Sequence, residues 1–314
     1  MNASQEIKMP FLATAQTGPL QLLEQTILDH QSQIEAWFRE KWQETPAPVY
    51  GSVDLRNAGF KLAPVDMNLY PAGFNNLNQD LRPLASQAAR MVVENGFAKC
   101  KKILIVPESH TRNLLYWENV LALQNIIKNA GFDVRIGGMM EEITTDLTLD
   151  LPSGKKILIE KLQRTENKIH VADFYPCMVW LNNDLSGGEP DILKGIDQTI
   201  CPPANLGWHK RLKSVHFNHY QQVAEEFSKI IDIDPWLIDP LFHYCGQVDF
   251  KKREGEECLA FNVEKLLAQI QKKYKAYNIP HEPFVIVKAD AGTYGMGVMM
   301  VKSADEVLAL NRKQ

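Results

Sequence analysis

Between Val49 and Ile136 the chain alternates runs of strand length with amphipathic runs of helix length. Val49 to Leu55 reads as a strand. Arg82 to Asn95 repeats at helical spacing and stops at Gly96. Lys102-Ile-Leu-Ile-Val106 is a buried strand, Leu114 to Ala130 a helix closed by Gly131, and Asp133-Val-Arg-Ile136 a further short strand. Strand, helix, strand, helix, strand in this order implies parallel βαβ units, because parallel neighbours need a crossover too long for a tight turn. The expectation is an α/β, doubly wound domain from about residue 49 to 137. Sheets of that kind bind ligands beyond the carboxyl ends of their strands.

The flanking chain is equally patterned. Leu20 to Trp42 carries apolar residues at helical spacing, and Pro46 and Pro48 end it. Leu147–Leu151 and Lys155–Glu160 read as a hairpin, and Cys177–Leu181 as a buried strand running into Asn182, Asn183 and Asp184. Helices are predicted from Trp208 to Ile231, from Val263 to Tyr277, and from Ala304 onward. A chain of 314 residues suggests two domains with sizeable cores. Its 34 basic and 38 acidic residues argue against a nucleic-acid protein. No apolar run reaches membrane-spanning length and no signal-peptide core opens the chain, so the expectation is a cytoplasmic protein with no membrane partner. The five cysteines, without a C-x-x-C pair, read as free thiols of a reducing compartment.

Chemistry is most concentrated near the C-terminus. Phe284-Val-Ile-Val-Lys288 delivers a lysine. Ala289-Asp-Ala-Gly292-Thr293-Tyr294-Gly295-Met296-Gly297 follows, and Val298-Met-Met-Val301 leaves as a second apolar run. Glycines let backbone N–H groups approach phosphate oxygens, and the lysine adds a fixed charge. The spacing matches neither G-x-x-x-x-G-K-[ST] nor G-x-G-x-x-G. Both of those loops open a helix, whereas here a strand follows. A plain hairpin turn needs one or two glycines. Three of them behind a lysine point to a phosphate-binding hairpin.

Two other stretches could bind ligands. Asp54 to Asn76 is long for a connection and follows the first predicted strand. It offers Arg56 and Lys61 for carboxylates, Asp54 and Asp66 for an ammonium, and Asn75 and Asn76 for orientation, a set suited to an α-amino acid. The competing reading is a structured loop whose asparagines satisfy their own backbone. Lys210, Arg211 and Lys213 open the predicted helix after Pro202-Pro203, where positive charge opposes the helix dipole, so an anionic ligand competes there with a solvated basic face. His216 and His219 share a helix face, but no H-E-x-x-H pattern surrounds them, which favours structural histidines over metal ligands. No nucleophile set stands out, and no residue is assigned a catalytic role.

Val53–Leu77, His209–Phe217, Ile233-Asp-Pro-Trp236 and Val287–Val298 together resemble a mainly proteobacterial family of glutamate–cysteine ligases (gamma-glutamylcysteine synthetases), whose ATP-grasp fold is related to bacterial glutathione synthetase. The resemblance implies ATP-dependent ligation of the glutamate side-chain carboxylate to cysteine through an acyl phosphate, the first step of glutathione biosynthesis. It implies that Lys213 (with Lys210 as the other candidate) and Lys288 contact nucleotide phosphates. Gly292, Thr293, Tyr294, Gly295, Met296 and Gly297 would form the flap over the γ-phosphate, and Arg56, Lys61, Asn75 and Asn76 would face the amino acids. The implied division is a helical segment 1–48, a pre-ATP-grasp-like α/β substrate domain 49–200 and an ATP-grasp small lobe 201–314.

That lobe is incomplete by the family's pattern. The adenine-holding strand and the Asp, Glu and Asn ligands for Mg²⁺ are expected beyond Gln314, with no metal ligand in this chain. The expectation is therefore a C-terminally truncated chain that is inactive alone. Two alternatives remain: another ATP-grasp carboxylate–amine ligase such as glutathione synthetase, and a non-catalytic binding module.

Overall fold

The computed structural model describes residues 18–96, 99–109, 113–139, 145–291 and 298–309. The first predicted helix is two: α1 (Pro19–Asp29) and α2 (Gln31–Glu44). They part at His30 (φ −104°, ψ 14°), whose ring Nδ1 lies 2.8 Å from the Thr26 carbonyl that its own backbone N–H also uses. The ring competes with the helical ladder for one acceptor.

The expected first strand of the sheet is instead half of a separate hairpin. β1 (Ser52–Asn57) pairs antiparallel with β2 (Leu62–Asn68), so the segment read as a long loop is partly strand. Pro64 and the polar residues Asp66 and Asn68 hide β2 from pattern reading. A register shift beside Leu55 accommodates Pro64, which has no N–H to give to the ladder.

Next come α3 (Arg82–Gly96), β3 (Lys102–Pro107), α4 (Leu114–Asn129), β4 (Asp133–Gly138), β5 (Leu147–Asp150), β6 (Lys156–Lys161), β7 (Gln163–Thr165), β8 (Lys168–His170), β9 (Met178–Asn182) and β10 (Thr199–Cys201). The main sheet has the order β10-β9-β3-β4-β6-β5 and is parallel except for β5, which pairs antiparallel with β6 in the expected hairpin. Alternation along β3 sends Ile103 and Ile105 to one face and Leu104 and Val106 to the other. On the first face α3 and α4 supply Val93, Trp117, Val120, Leu123 and Ile127. The second is covered by Ile169 of β8 and by connecting segments carrying Phe174, Leu185 and Leu193. The strand order runs both ways from β3, as a doubly wound sheet requires, but among the described residues the α-helices that cover the sheet, α3 and α4, lie on one face, and short 3-10 turns and loops cover the other.

The cysteine reading is also corrected. Cys100 and Cys177 are joined by a disulfide, with Cα atoms 5.6 Å apart. Ile103 and Met178 are ladder partners, so the two cysteines fall at the starts of neighbouring strands despite being 77 residues apart. Spacing along the chain carries no trace of that proximity.

The remainder comprises α5 (Lys213–Ile230), α6 (Glu256–Ala276), β11 (Val285–Val287), β12 (Met299–Val301) and α7 (Ala304–Leu308). β11 and β12 pair antiparallel, as the strand–loop–strand reading required. Helix α6 begins seven residues before its predicted start, behind Gly255 at φ 81°. Helix α5 starts at Lys213, later than predicted, so Lys210 and Arg211 lie just before it and Lys213 alone of the three is in its first turn. The N-terminal helices pack onto this half: Leu20 and Leu23 share a core cluster with Trp236, Leu237 and Tyr274, and Lys41 pairs with Glu226 at 2.9 Å.

Candidate functional site

Two polar centres lie at opposite ends of one segment, Val65 to Asn76. The first is a cluster of cations along β2. Lys288 Nζ donates to the Val65 carbonyl at 2.6 Å, and Arg211 Nη1 donates to the Met67 carbonyl at 2.5 Å. Carbonyls two residues apart point to the same strand edge, so both cations cap the edge that β1 leaves unpaired. Lys213 Nζ lies 4.7 Å from the centre of the Trp208 ring and Arg211 5.1 Å from it, while Lys288 Nζ lies 5.3 Å from the Phe217 ring. The rings form an apolar floor and the charges lie on it.

Electrostatics at this centre are unbalanced. Burial lowers the pKa of Lys213, Lys288 and Arg211, and the nearby Asp66 carboxylate opposes the shift in each case. His216 is lowered by burial and then by Arg211, so its imidazole favours the neutral form. Asp66 sits opposite Asp54 in the β1–β2 register, a like-charge pairing that the cations relieve. The carboxylates Asp66 and Asp290 only partly offset the burial of these cations, whose pKa values stay lowered. An incoming polyanion would reduce the cost of holding them together.

Trp208 reaches this floor through a tight turn. Its N–H donates to the Asp184 carbonyl at 2.9 Å, and a Cβ at Gly207 would meet the Leu185 Cβ at 2.7 Å. Tyr70 ties the same region to β2, its hydroxyl donating to the Pro203 carbonyl at 2.7 Å.

The second centre lies where the sheet connections diverge. From β3 the chain leaves toward β4, and from β9 toward β10 on the other side, so the carboxyl ends of β3 and β9 flank the switch point. Asn182 Nδ2 donates to the Pro71 carbonyl at 2.8 Å, and Asn119 Oδ1 accepts from the N–H groups of Gly73 (2.8 Å) and Phe74 (2.9 Å). Tyr116 Oη accepts from the Glu108 N–H at 2.8 Å and donates to the Asn182 carbonyl at 2.9 Å; burial pushes its pKa well up, so it stays neutral. The short helical turn Phe74–Asn76 is thereby pinned over the strand ends.

Against expectation, the predicted residues separate. Lys213 and Lys288 come together, with Arg211 beside them. Lys210 is exposed outside the cluster. Asn75 and Asn76 belong to the second centre. Arg56 is exposed on β1, and Lys61 lies elsewhere, its Nζ 4.5 Å from the Trp236 ring. Gly292, Thr293, Tyr294, Gly295, Met296 and Gly297 lie outside the described residues. Asp290, Trp208, Phe217, Asn119 and Asn182 were not foreseen as parts of either centre. Only the Asn-Asn-Asp run after β9 carried a usable signal, a polar cluster at a strand end.

A family model, glutamate–cysteine ligase, matches residues 24–314. The chain belongs to the glutamate–cysteine ligase family. A solved structure of a candidate gamma-glutamylcysteine synthetase from Methylobacillus flagellatus KT is 55% identical, with a TM-score of 0.91 over 98% of this chain and 72% of that one. No curated protein matches the sequence. Membership makes this chain a ligase of glutathione biosynthesis, and both centres are then read for what such a ligase must hold.

Proposed function

We propose that the cation cluster binds the phosphates of ATP and that the asparagine-pinned turn presents the amino-acid substrates. The reaction joins the side-chain carboxylate of glutamate to cysteine. A carboxylate oxygen takes the γ-phosphoryl group and ADP leaves; the cysteine amine then attacks the acyl carbon, a C–N bond forms, and phosphate departs as the amine loses a proton. The observation that carries this reading is the convergence of Arg211, Lys213 and Lys288 about Asp66 in a member of this family. These side chains fit a polyphosphate because burial lowers the pKa of all three, a cost that Asp66 and Asp290 only partly offset and that an anion would reduce. Their role is positioning and neutralisation of developing charge.

The wider reading is an ATP-grasp arrangement in the cytoplasm, with residues 292–297 as the flap over the γ-phosphate. It rests on family resemblance and on the β11–β12 hairpin that flanks those residues. No described helix is long and apolar enough to cross a membrane. Mg²⁺ does not fit the described residues: no group of three or more His, Cys, Asp or Glu able to hold a metal occurs among them, and the Asp290 carboxylate is engaged by Ser214. Asn75 and Asn76 are retained as substrate contacts, whereas Lys61 is assigned to packing against Trp236.

The test is ATP affinity. Lys213→Met and Lys288→Met should each weaken ATP binding by about 10-fold or more, the scale of a lost charge-assisted phosphate contact. Calorimetric titration reads this directly, and circular dichroism checks the fold. Unchanged affinity in both variants would refute the phosphate site. Thermal stabilisation by glutamate and cysteine, and none by glycine, is expected for the amino-acid centre.

A further inference from the structure

We infer that Asp290 is a positioning residue that sets the spacing of Lys213 and Lys288 by capping helix α5 from another part of the chain. Asp290 lies two residues beyond Lys288, where the chain leaves β11. Its carboxylate accepts from the Ser214 N–H at 2.7 Å and from the Ser214 hydroxyl at 2.8 Å. Its backbone carbonyl accepts from the Lys213 N–H at 2.9 Å. The helix cannot cap itself, because its N-cap residue is Leu212, which makes no side-chain cap bond. The first-turn donors that helices ordinarily satisfy locally are here satisfied across 76 residues of sequence.

This arrangement does more than close a helix end. Lys213 and Lys288 are like charges, and the proximity of Lys213 lowers the pKa of Lys288 further than burial alone does. Left to themselves they would drift apart. Because Ser214, the residue after Lys213, is clamped twice by the Asp290 carboxylate beside the backbone bond to Lys213, the two ammonium groups stay at one spacing before any anion arrives. A site already arranged loses less conformational freedom on binding. A Ser, Thr, Asn or Asp at position 212 could cap α5 without the side-chain clamp between Asp290 and Ser214.

The inference rests on the phosphate reading above, and the experiment separates the two. Asp290→Ala, which removes both bonds to Ser214 and keeps the backbone bond to Lys213, should weaken ATP binding about 5-fold, the scale expected from lost preorganisation with both lysines intact. Asp290→Asn, which keeps one acceptor for Ser214, should fall between. Leu212→Asp combined with Asp290→Ala restores a local cap, so it should recover thermal stability without recovering ATP affinity. Recovery of both by the double variant would show that Asp290 only stabilises the helix and would overturn the inference. It is equally overturned if Asp290→Ala leaves ATP affinity unchanged while Lys213→Met and Lys288→Met weaken it. If the two lysine variants themselves have no effect, the phosphate reading fails and the inference falls with it. A poorly folded Asp290→Ala leaves Asp290→Asn and Ser214→Ala as the deciding variants, each expected to weaken ATP and each counting against the inference if it does not.

Discussion

Lys61 looks in sequence like a carboxylate ligand and in the fold like a buried lysine that has not found a full partner. Burial against Trp236 pushes its pKa down to about 8, while Asp239 and Asp234 pull it back up. Asp239 is itself buried, and burial raises its pKa. For a lysine lowered in the folded state, the unfolded chain holds the proton that the folded chain has released between pH 8 and the ordinary 10.5. Stability therefore rises with pH across that window. Lys61→Met removes this contribution. Comparing unfolding free energies of the two proteins from pH 7.5 to 10.5, the wild type should gain on the variant by up to about 3 kcal/mol. Parallel curves would rule out a lowered Lys61. Charge type was legible in sequence here, and the fold brings together Lys213 and Lys288, which the sequence had singled out separately. Asp66 was taken for an ammonium ligand, and its place among the cations depends on neighbours far along the chain.

Elements whose pattern is local were readable: β3, α4, β4, the β5–β6 hairpin, and the pairing of β11 with β12. β2 was not, because a strand broken by Pro64 and carrying Asp66 and Asn68 has the composition of a loop. Its strand character matters to the cation cluster, since its edge supplies the Val65 and Met67 carbonyls that hold Lys288 and Arg211. α4 carries a comparable surprise. Asn119, 1% exposed in a helix otherwise packed with apolar side chains, accepts both the Gly73 and Phe74 N–H groups. Helical periodicity would assign that position to the core. Asn119→Ala strands those donors and releases the Phe74–Asn76 turn, which should cost about 2–4 kcal/mol, one unsatisfied buried group or two. Urea unfolding measures the cost, and glutamate affinity should fall with it. Full stability in the variant would mean that water replaces the asparagine and that the turn is not pinned as described.

Across the whole protein the cores divide in a way the order of the sequence conceals. The two faces of the main sheet form two clusters, built on Ile103, Trp117 and Ile136 and on Leu104, Phe174 and Leu181. Leu20 and Leu23, at the other end of the chain, join Trp236, Leu237 and Tyr274, with Phe60 and Leu62 of the β1–β2 hairpin packed against them. The hairpin that carries the cation cluster thus rests on the C-terminal half and on α1, while its continuation to Asn76 is fastened to the sheet. Contacts of such large sequence separation leave no periodic trace, and for the same reason the Cys100–Cys177 bond was unforeseen. The division has a measurable consequence. Leu23, 3% exposed, is a core side chain of the C-terminal cluster alone, and Leu23→Ala should cost about 2–5 kcal/mol there. Local openings then become easier where that cluster is the support. Amide exchange in the variant should accelerate in α1 and α6, which carry Leu20, Leu23 and Tyr274, and stay slow in β3, β4 and β9. Equal acceleration in all five would show that the clusters open as one unit, and the cation site would then share the stability of the sheet.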